Sequence, residues 1–136
     1  MTLRCLIVDD SPAFVATARS LLERQGLTVL GDAATSADAV RLVTELRPDV
    51  VLVDIDLGSE SGLELARRLA GSTHAAPPAV ILISTYAEED FADLVVDSPA
   101  LGFIAKAALS AAAIRHLLEG PGAGGPPGRI TGPPET

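Results

Sequence analysis

Groups able to do chemistry stand at the ends of four apolar runs. Asp9-Asp10 follows LRCLIV, and Asp54 follows VVLV with Asp56 two residues on. Ser84-Thr85 follows AVILI, and Lys106, the only lysine in the chain, follows LGFIA. If these runs are parallel strands of one sheet, all four endings share one edge, where three or four carboxylates, a hydroxyl and an ammonium converge. Two like charges about 4 Å apart cost on the order of 4 kcal/mol at an effective dielectric near 20. A hard divalent cation relieves that repulsion, and Mg²⁺ accepts a few carboxylates together with waters and phosphate oxygens. A carboxylate in such a setting can attack a phosphoryl group. The metal, a hydroxyl and a lysine would then hold the equatorial oxygens. The set suits phosphoryl transfer onto Asp54.

Taken singly, each group is ordinary. An Asp-Asp pair before a proline-led helix is a common capping segment. A lone Asp ends many strands, a serine fills many turns, and most lysines are solvated. The joint occurrence at four run ends carries the expectation.

The elements that must position these groups are legible in the same sequence. Apolar runs at 3–8, 27–30, 50–53, 79–83 and 101–105 alternate with helical patterns. The third and fourth are continuously apolar, as strands covered by helices on both faces are. Ser11-Pro12 offers an N-cap and a proline at the first helical position. Phe14, Ala18, Leu21 and Leu22 then mark one face, before Gly26 ends the segment. Thr35 or Ser36 caps a second helix through Leu46, stopped at Arg47-Pro48. Ser61 to Glu64 is a capping box opening a third helix to about Gly71. A fourth is predicted over about 88–96, and an Ala-rich fifth over about 110–119. Five β/α units with short connections imply an α/β domain: a single five-stranded parallel sheet with helices on both faces. In such sheets ligands gather beyond the carboxyl ends of the strands.

The chain has 136 residues, 48% of them hydrophobic and 21% charged, which fits one domain with a real core. Three Phe, one Tyr and no Trp make that core aliphatic. A net charge of −8 argues against gripping phosphate backbones, so direct nucleic-acid binding is not expected. Cys5, the single cysteine, reads as a small buried hydrophobe. With no membrane-length apolar run and no signal-peptide pattern, a cytoplasmic location is expected. From residue 120 the composition changes: 6 Gly and 5 Pro in 17 residues leave little to bury, and 120–136 reads as a disordered tail after a domain at 1–119. His74 and His116 lack a second ligand at metal spacing and read as surface or boundary residues.

The motifs IVDDSP, LVDIDLGSESG, ILIST and GFIAK, at these spacings, resemble the receiver domain of bacterial two-component response regulators over about residues 3–119. The resemblance implies a flavodoxin-like (βα)5 receiver fold in which a histidine kinase donates its phosphoryl group to Asp54. It implies Mg²⁺ held by Asp10 directly, by Asp9 through water, by Asp54 and by the carbonyl of Asp56. Ser84 and Lys106 would bind phosphoryl oxygens, and Phe103 would take the place of the switch aromatic. Asp56 and Tyr86 would tune dephosphorylation, the bulk of Tyr86 giving a fairly long-lived phosphoryl-aspartate.

The chain departs from the family at several points. Gly58 stands where proline is frequent, suggesting a looser loop. Ala107 replaces a frequent proline after the lysine, Thr85 a usually smaller residue, and Pro99 a Gly/Ala-rich turn. Phe103 lacks a hydroxyl.

The expected output is a change in protein–protein contacts, not enzymatic turnover. It would act on a downstream protein partner, a homodimer mate, or a DNA-binding output domain absent from this chain, the stand-alone form being favoured. Two rivals stand beside it. One is a haloacid-dehalogenase-type phosphatase, which also uses Asp-x-Asp with Mg²⁺; the other is a degenerate receiver that binds partners without phosphorylation.

Overall fold

The structure, a computed structural model, describes residues 2–71, 77–85 and 98–119. The helix expected over 88–96, His74, Tyr86 and the Gly/Pro-rich stretch 120–136 lie outside the described residues.

Five strands form one parallel sheet: β1 (Arg4–Val8), β2 (Thr28–Ala33), β3 (Val50–Asp54), β6 (Ala79–Ser84) and β7 (Gly102–Ala105). Their spatial order is β2-β1-β3-β6-β7. Counting only sheet strands this is 2-1-3-4-5, the flavodoxin-like winding, which reverses direction between β1 and β3. Two further short strands, β4 (Asp56–Leu57) and β5 (Glu60–Ser61), pair antiparallel directly after β3. The apolar pattern gave no hint of them.

The two sheet faces follow from the strand period of two. Cys5, Ile7, Val50, Leu52, Ile81 and Ile83 face one layer. There they meet Val15, Ala18 and Leu22 of α1 (Pro12–Arg24) and Ala111 and Ile114 of α4 (Ala111–Glu119). Leu6, Val8, Val51, Val53, Val80 and Leu82 face the other. That layer is closed by Ala39 and Val43 of α2 (Ser36–Leu46) and by Leu65, Ala66 and Leu69 of α3 (Gly62–Ala70). Fully burying one such aliphatic side chain stabilises by about 1.5–3 kcal/mol. Burial on both faces is why β3 and β6 read as unbroken apolar runs. Cys5 is fully buried, and burial pushes its thiol up to about 12, so it behaves as the small hydrophobe expected.

Helix ends follow local chemistry. The Ser11 hydroxyl accepts from the Phe14 N–H at 3.3 Å, with Pro12 at the first helical position. The Thr35 hydroxyl accepts from Asp38 at 3.2 Å, making Thr35 the cap and Ser36 the first helical residue. Arg47 ends α2 in the left-handed region at φ 50°. The Arg4 guanidinium on β1 donates to the freed carbonyls of Leu46, at 3.2 Å, and Arg47. Only half of the predicted capping box at α3 forms: the Ser61 hydroxyl accepts from Glu64, whose carboxylate pairs with Arg67 at 3.6 Å. β2 runs three residues past its apolar stretch, because Gly31, Asp32 and Ala33 continue to pair with β1 beyond a register shift at Cys5/Leu6. At a sheet edge, polar residues keep one side in water, so hydropathy did not mark them.

Among the described residues no helix is long and apolar enough to cross a membrane.

Candidate functional site

β1 and β3 lie side by side, with Val8 opposite Val53. The residues that follow each, Asp9 and Asp54, are therefore neighbours at the carboxyl end of the sheet, where the winding reverses. One carboxylate oxygen from each of Asp9, Asp10 and Asp54 falls within 4.8 Å of the others. Asp9 and Asp54 are buried and Asp10 is exposed, so the cluster opens to solvent on one side.

Lys106 enters from the end of β7. Its Nζ lies 2.6 Å from Asp9 Oδ2 and 3.2 Å from Asp54 Oδ2. The contact with Asp54 has hydrogen-bond geometry. That with Asp9 is close but poorly directed, leaving Asp9 Oδ2 fully buried without a hydrogen-bond donor. The other oxygen, Asp9 Oδ1, accepts the Ser11 N–H at 2.8 Å. Asp54 Oδ1 accepts the Asp56 N–H at 3.1 Å, while the Asp56 side chain itself is exposed.

Electrostatics follow from these contacts. Burial raises the Asp54 carboxyl above its ordinary value; the Asp56 N–H pulls it back, the Asp9 charge adds to the rise, and Lys106 opposes it. For Lys106, burial works against the charge, but Asp9 and Asp54 together outweigh it and hold the ammonium above its ordinary value. Three carboxylates against one ammonium leave the pocket short of positive charge. An all-oxygen donor set with one buried oxygen lacking a directed donor fits a hard divalent cation.

Ser84 is buried at the end of β6, one residue beyond the Asp54–Ile83 pairing, and Thr85 beside it is exposed. Phe103 lies further back on β7, opposite Leu82, half-exposed and packed on the α2/α3 layer. Ala107 falls in a 3₁₀ turn over Lys106–Ala108. The structure brings Asp9, Asp10, Asp54 and Lys106 into contact range; Phe103 stands apart from them.

Three residues that the sequence reading did not assign to the site shape it. The Phe14 ring on α1 lies under the ammonium of Lys106, 4.3 Å from centroid to Nζ. An aromatic four residues after Asp10 was visible, but it reads equally as core. Gly58 turns the β4–β5 hairpin at φ 69°, where a Cβ would stand 3.0 Å from Asp10 Oδ2. The loop after Asp54 is therefore a tight paired hairpin, not the looser segment expected from the missing proline. Gly62 packs its Cα side against the Asp54 carbonyl and donates its N–H to Ile55 at 2.8 Å.

A profile of the response regulator receiver domain matches residues 5–119. The chain belongs to that family. The receiver is 34% identical to the response regulator GacA of Pseudomonas aeruginosa, over 78% of this chain and 49% of the relative. It is 30% identical to the transcriptional regulatory protein LiaR of Bacillus subtilis, over 87% of this chain and 57% of the relative. It thus spans about half the length of these relatives. Its fold matches a signal receiver domain of a modulated diguanylate cyclase from Desulfovibrio desulfuricans (TM-score 0.72, 32% identity, 88% of this chain and 92% of that one). It also matches a Burkholderia pseudomallei response regulator described with a phosphorylated aspartic acid and a calcium ion (TM-score 0.72, 28% identity, 85% and 66%). The receiver is a domain of two-component signalling.

The Lys106 side chain is 12% exposed, and the Asp9 and Asp54 side chains that it pairs with are 0% and 10% exposed. Removing one partner from such a pair strands the other charges. Lys106→Met is expected to lower the stability of the receiver in EDTA by about 3 kcal/mol at neutral pH. Mg²⁺ should restore much of that loss. Urea unfolding with and without the metal checks both; an unchanged EDTA midpoint would mean the ammonium contributes nothing to holding the acids.

Proposed function

We propose that this receiver is phosphorylated on Asp54 by a histidine kinase and signals by changing its protein contacts. The observation that carries this is the meeting of Asp9, Asp10 and Asp54 with Lys106 where the sheet winding reverses. An Asp54 carboxylate oxygen attacks phosphorus, the bond to the donor's imidazole nitrogen breaks, and the imidazole leaves with the electron pair. Lys106, 3.2 Å from Asp54 Oδ2, would follow the charge from Asp54 onto a phosphoryl oxygen. Ser84, at the neighbouring strand end, would donate to another. Bound Mg²⁺ would neutralise the carboxylates and the incoming phosphoryl oxygens, held by Asp9, Asp10 and Asp54 with the Asp56 carbonyl. The Burkholderia neighbour, with its phosphorylated aspartic acid and calcium ion, supports this assignment on the same fold.

The switch would run from Ser84 to Phe103, whose half-exposed ring moves inward by apolar burial alone. Output partners include a downstream protein, a second copy, or a DNA-binding domain of the kind implied by its transcriptional-regulator relatives. Tyr86 would shield the acyl phosphate from water. The receiver unit would end near residue 119, and its working compartment would be the cytoplasm.

The test is intact-mass measurement after acetyl phosphate treatment. One phosphoryl adduct per chain should form with Mg²⁺ and none with EDTA. No adduct, or one indifferent to EDTA, would rule the reading out. Steady turnover of p-nitrophenyl phosphate would favour a phosphatase instead.

A further inference from the structure

Glu60, on β5 of the hairpin, reaches away from the pocket to helix α2. Its Oε1 accepts the backbone N–H of Ser36 at 2.8 Å. Ser36 is the first residue of α2 and is buried. Its N–H is one of the donors that a helix cannot pair internally, and the positive end of the helix dipole favours a carboxylate there. Thr35 already serves the Asp38 N–H, so α2 is capped twice: once by its own sequence and once by the hairpin.

The other end of this contact lies in the pocket. Glu60 pairs across the hairpin with Leu57, and Ser61 with Asp56. Leu57 is buried in the α2/α3 layer, and the Asp56 N–H holds Asp54 Oδ1 at 3.1 Å. A continuous path thus runs from the start of α2, through Glu60 and the hairpin, to the acceptor carboxylate. Glu60 adds a tie from the β5 side of this hairpin to α2, 2.8 Å from the Ser36 nitrogen.

We infer that Glu60 is a positioning residue for the acid pocket: by pinning the hairpin to α2 it fixes Asp56 against Asp54 and so sets the affinity for the divalent cation. The clamp rests on the cation-dependent reading proposed above, and the test separates the two. Mg²⁺ alone is titrated into the full chain, with affinity read from calorimetry and from the rise in Tm over the EDTA value.

Glu60→Ala should weaken Mg²⁺ binding roughly tenfold, as loss of outer-shell support does. Glu60→Gln, which keeps an acceptor oxygen, should stay close to wild type. Ser36→Pro removes the donor at a position where proline suits a helix, and should weaken binding as Glu60→Ala does. It carries the test if Glu60→Ala does not fold. Wild-type affinity in either donor or acceptor knockout overturns the clamp, whatever happens to Tm in EDTA. So does a Gln variant as weak as Ala. If wild type itself takes up no Mg²⁺ while Tm stays high, the clamp falls together with the cation-dependent reading.

Discussion

Asp54→Asn should fold, take up no phosphoryl group from acetyl phosphate and Mg²⁺, and unfold at a higher temperature than wild type in EDTA. An amide oxygen is too weak a nucleophile for phosphorus, so labelling is lost outright. The stability change has a definite sign. Burial in the folded state raises the Asp54 carboxyl above its ordinary value. The protonated form is therefore favoured in the folded state. Metal-free wild type loses stability as pH rises from the ordinary carboxylate range through the raised folded value, and the loss is complete above it. Asparagine carries no charge to lose. The variant should match or trail wild type in acid and exceed it at neutral pH, because ionising Asp54 is costlier in the folded pocket than in the unfolded chain. With Mg²⁺ the ranking should narrow or reverse, since a ligand at a hundred times its Kd stabilises by about 2.7 kcal/mol and the variant lacks one of the carboxylates. Scanning calorimetry at two pH values, in EDTA and in Mg²⁺, reads all of this beside the mass measurement. Stoichiometric labelling of Asp54→Asn would move the acceptor elsewhere, and a lower Tm in EDTA at neutral pH would mean the ionised carboxylate is not a burden.

Gly62→Ala is expected to be the most damaging single methyl in the pocket. Its Cβ would overlap the carbonyl oxygen of Asp54 and stand 2.8 Å from the carbonyl carbon and 2.9 Å from Ile55 Cα. These are backbone atoms at the carboxyl end of the central strand, and no side chain can rotate aside. Either α3 retreats, breaking the 2.8 Å bond from Gly62 to Ile55, or the end of β3 shifts and carries Asp54 with it. The expected cost is about 3 kcal/mol, roughly 10 °C in Tm, with a matching fall in labelling. Urea unfolding and intact mass check it together. A variant as stable as wild type would mean the helix start is loosely held.

Much of this was readable beforehand because the strands are buried on both faces. Val50–Val53 and Ala79–Ile83 read as central strands, and with parallel pairing the acids and lysine following such runs share an edge. Three features escaped for identifiable reasons. The β4–β5 hairpin consists of four mostly polar residues around Gly58, too short for any period to show. Phe14 carries no sign in sequence that it serves an ammonium as well as the core. Nothing in the sequence singles out Glu60, because its partner is a backbone N–H twenty-four residues earlier, and main-chain donors leave no mark on composition.

The outer margins of the sheet carry a further consequence. β7 is only four residues long, and β2 is kinked against β1 by the irregularity at Cys5/Leu6 and bears the charge of Asp32. Rims that are brief, bent or charged offer a poor template for adding another chain's backbone. Assemblies made by this molecule should therefore meet through side chains on its flanks, and should not grow into extended ribbons.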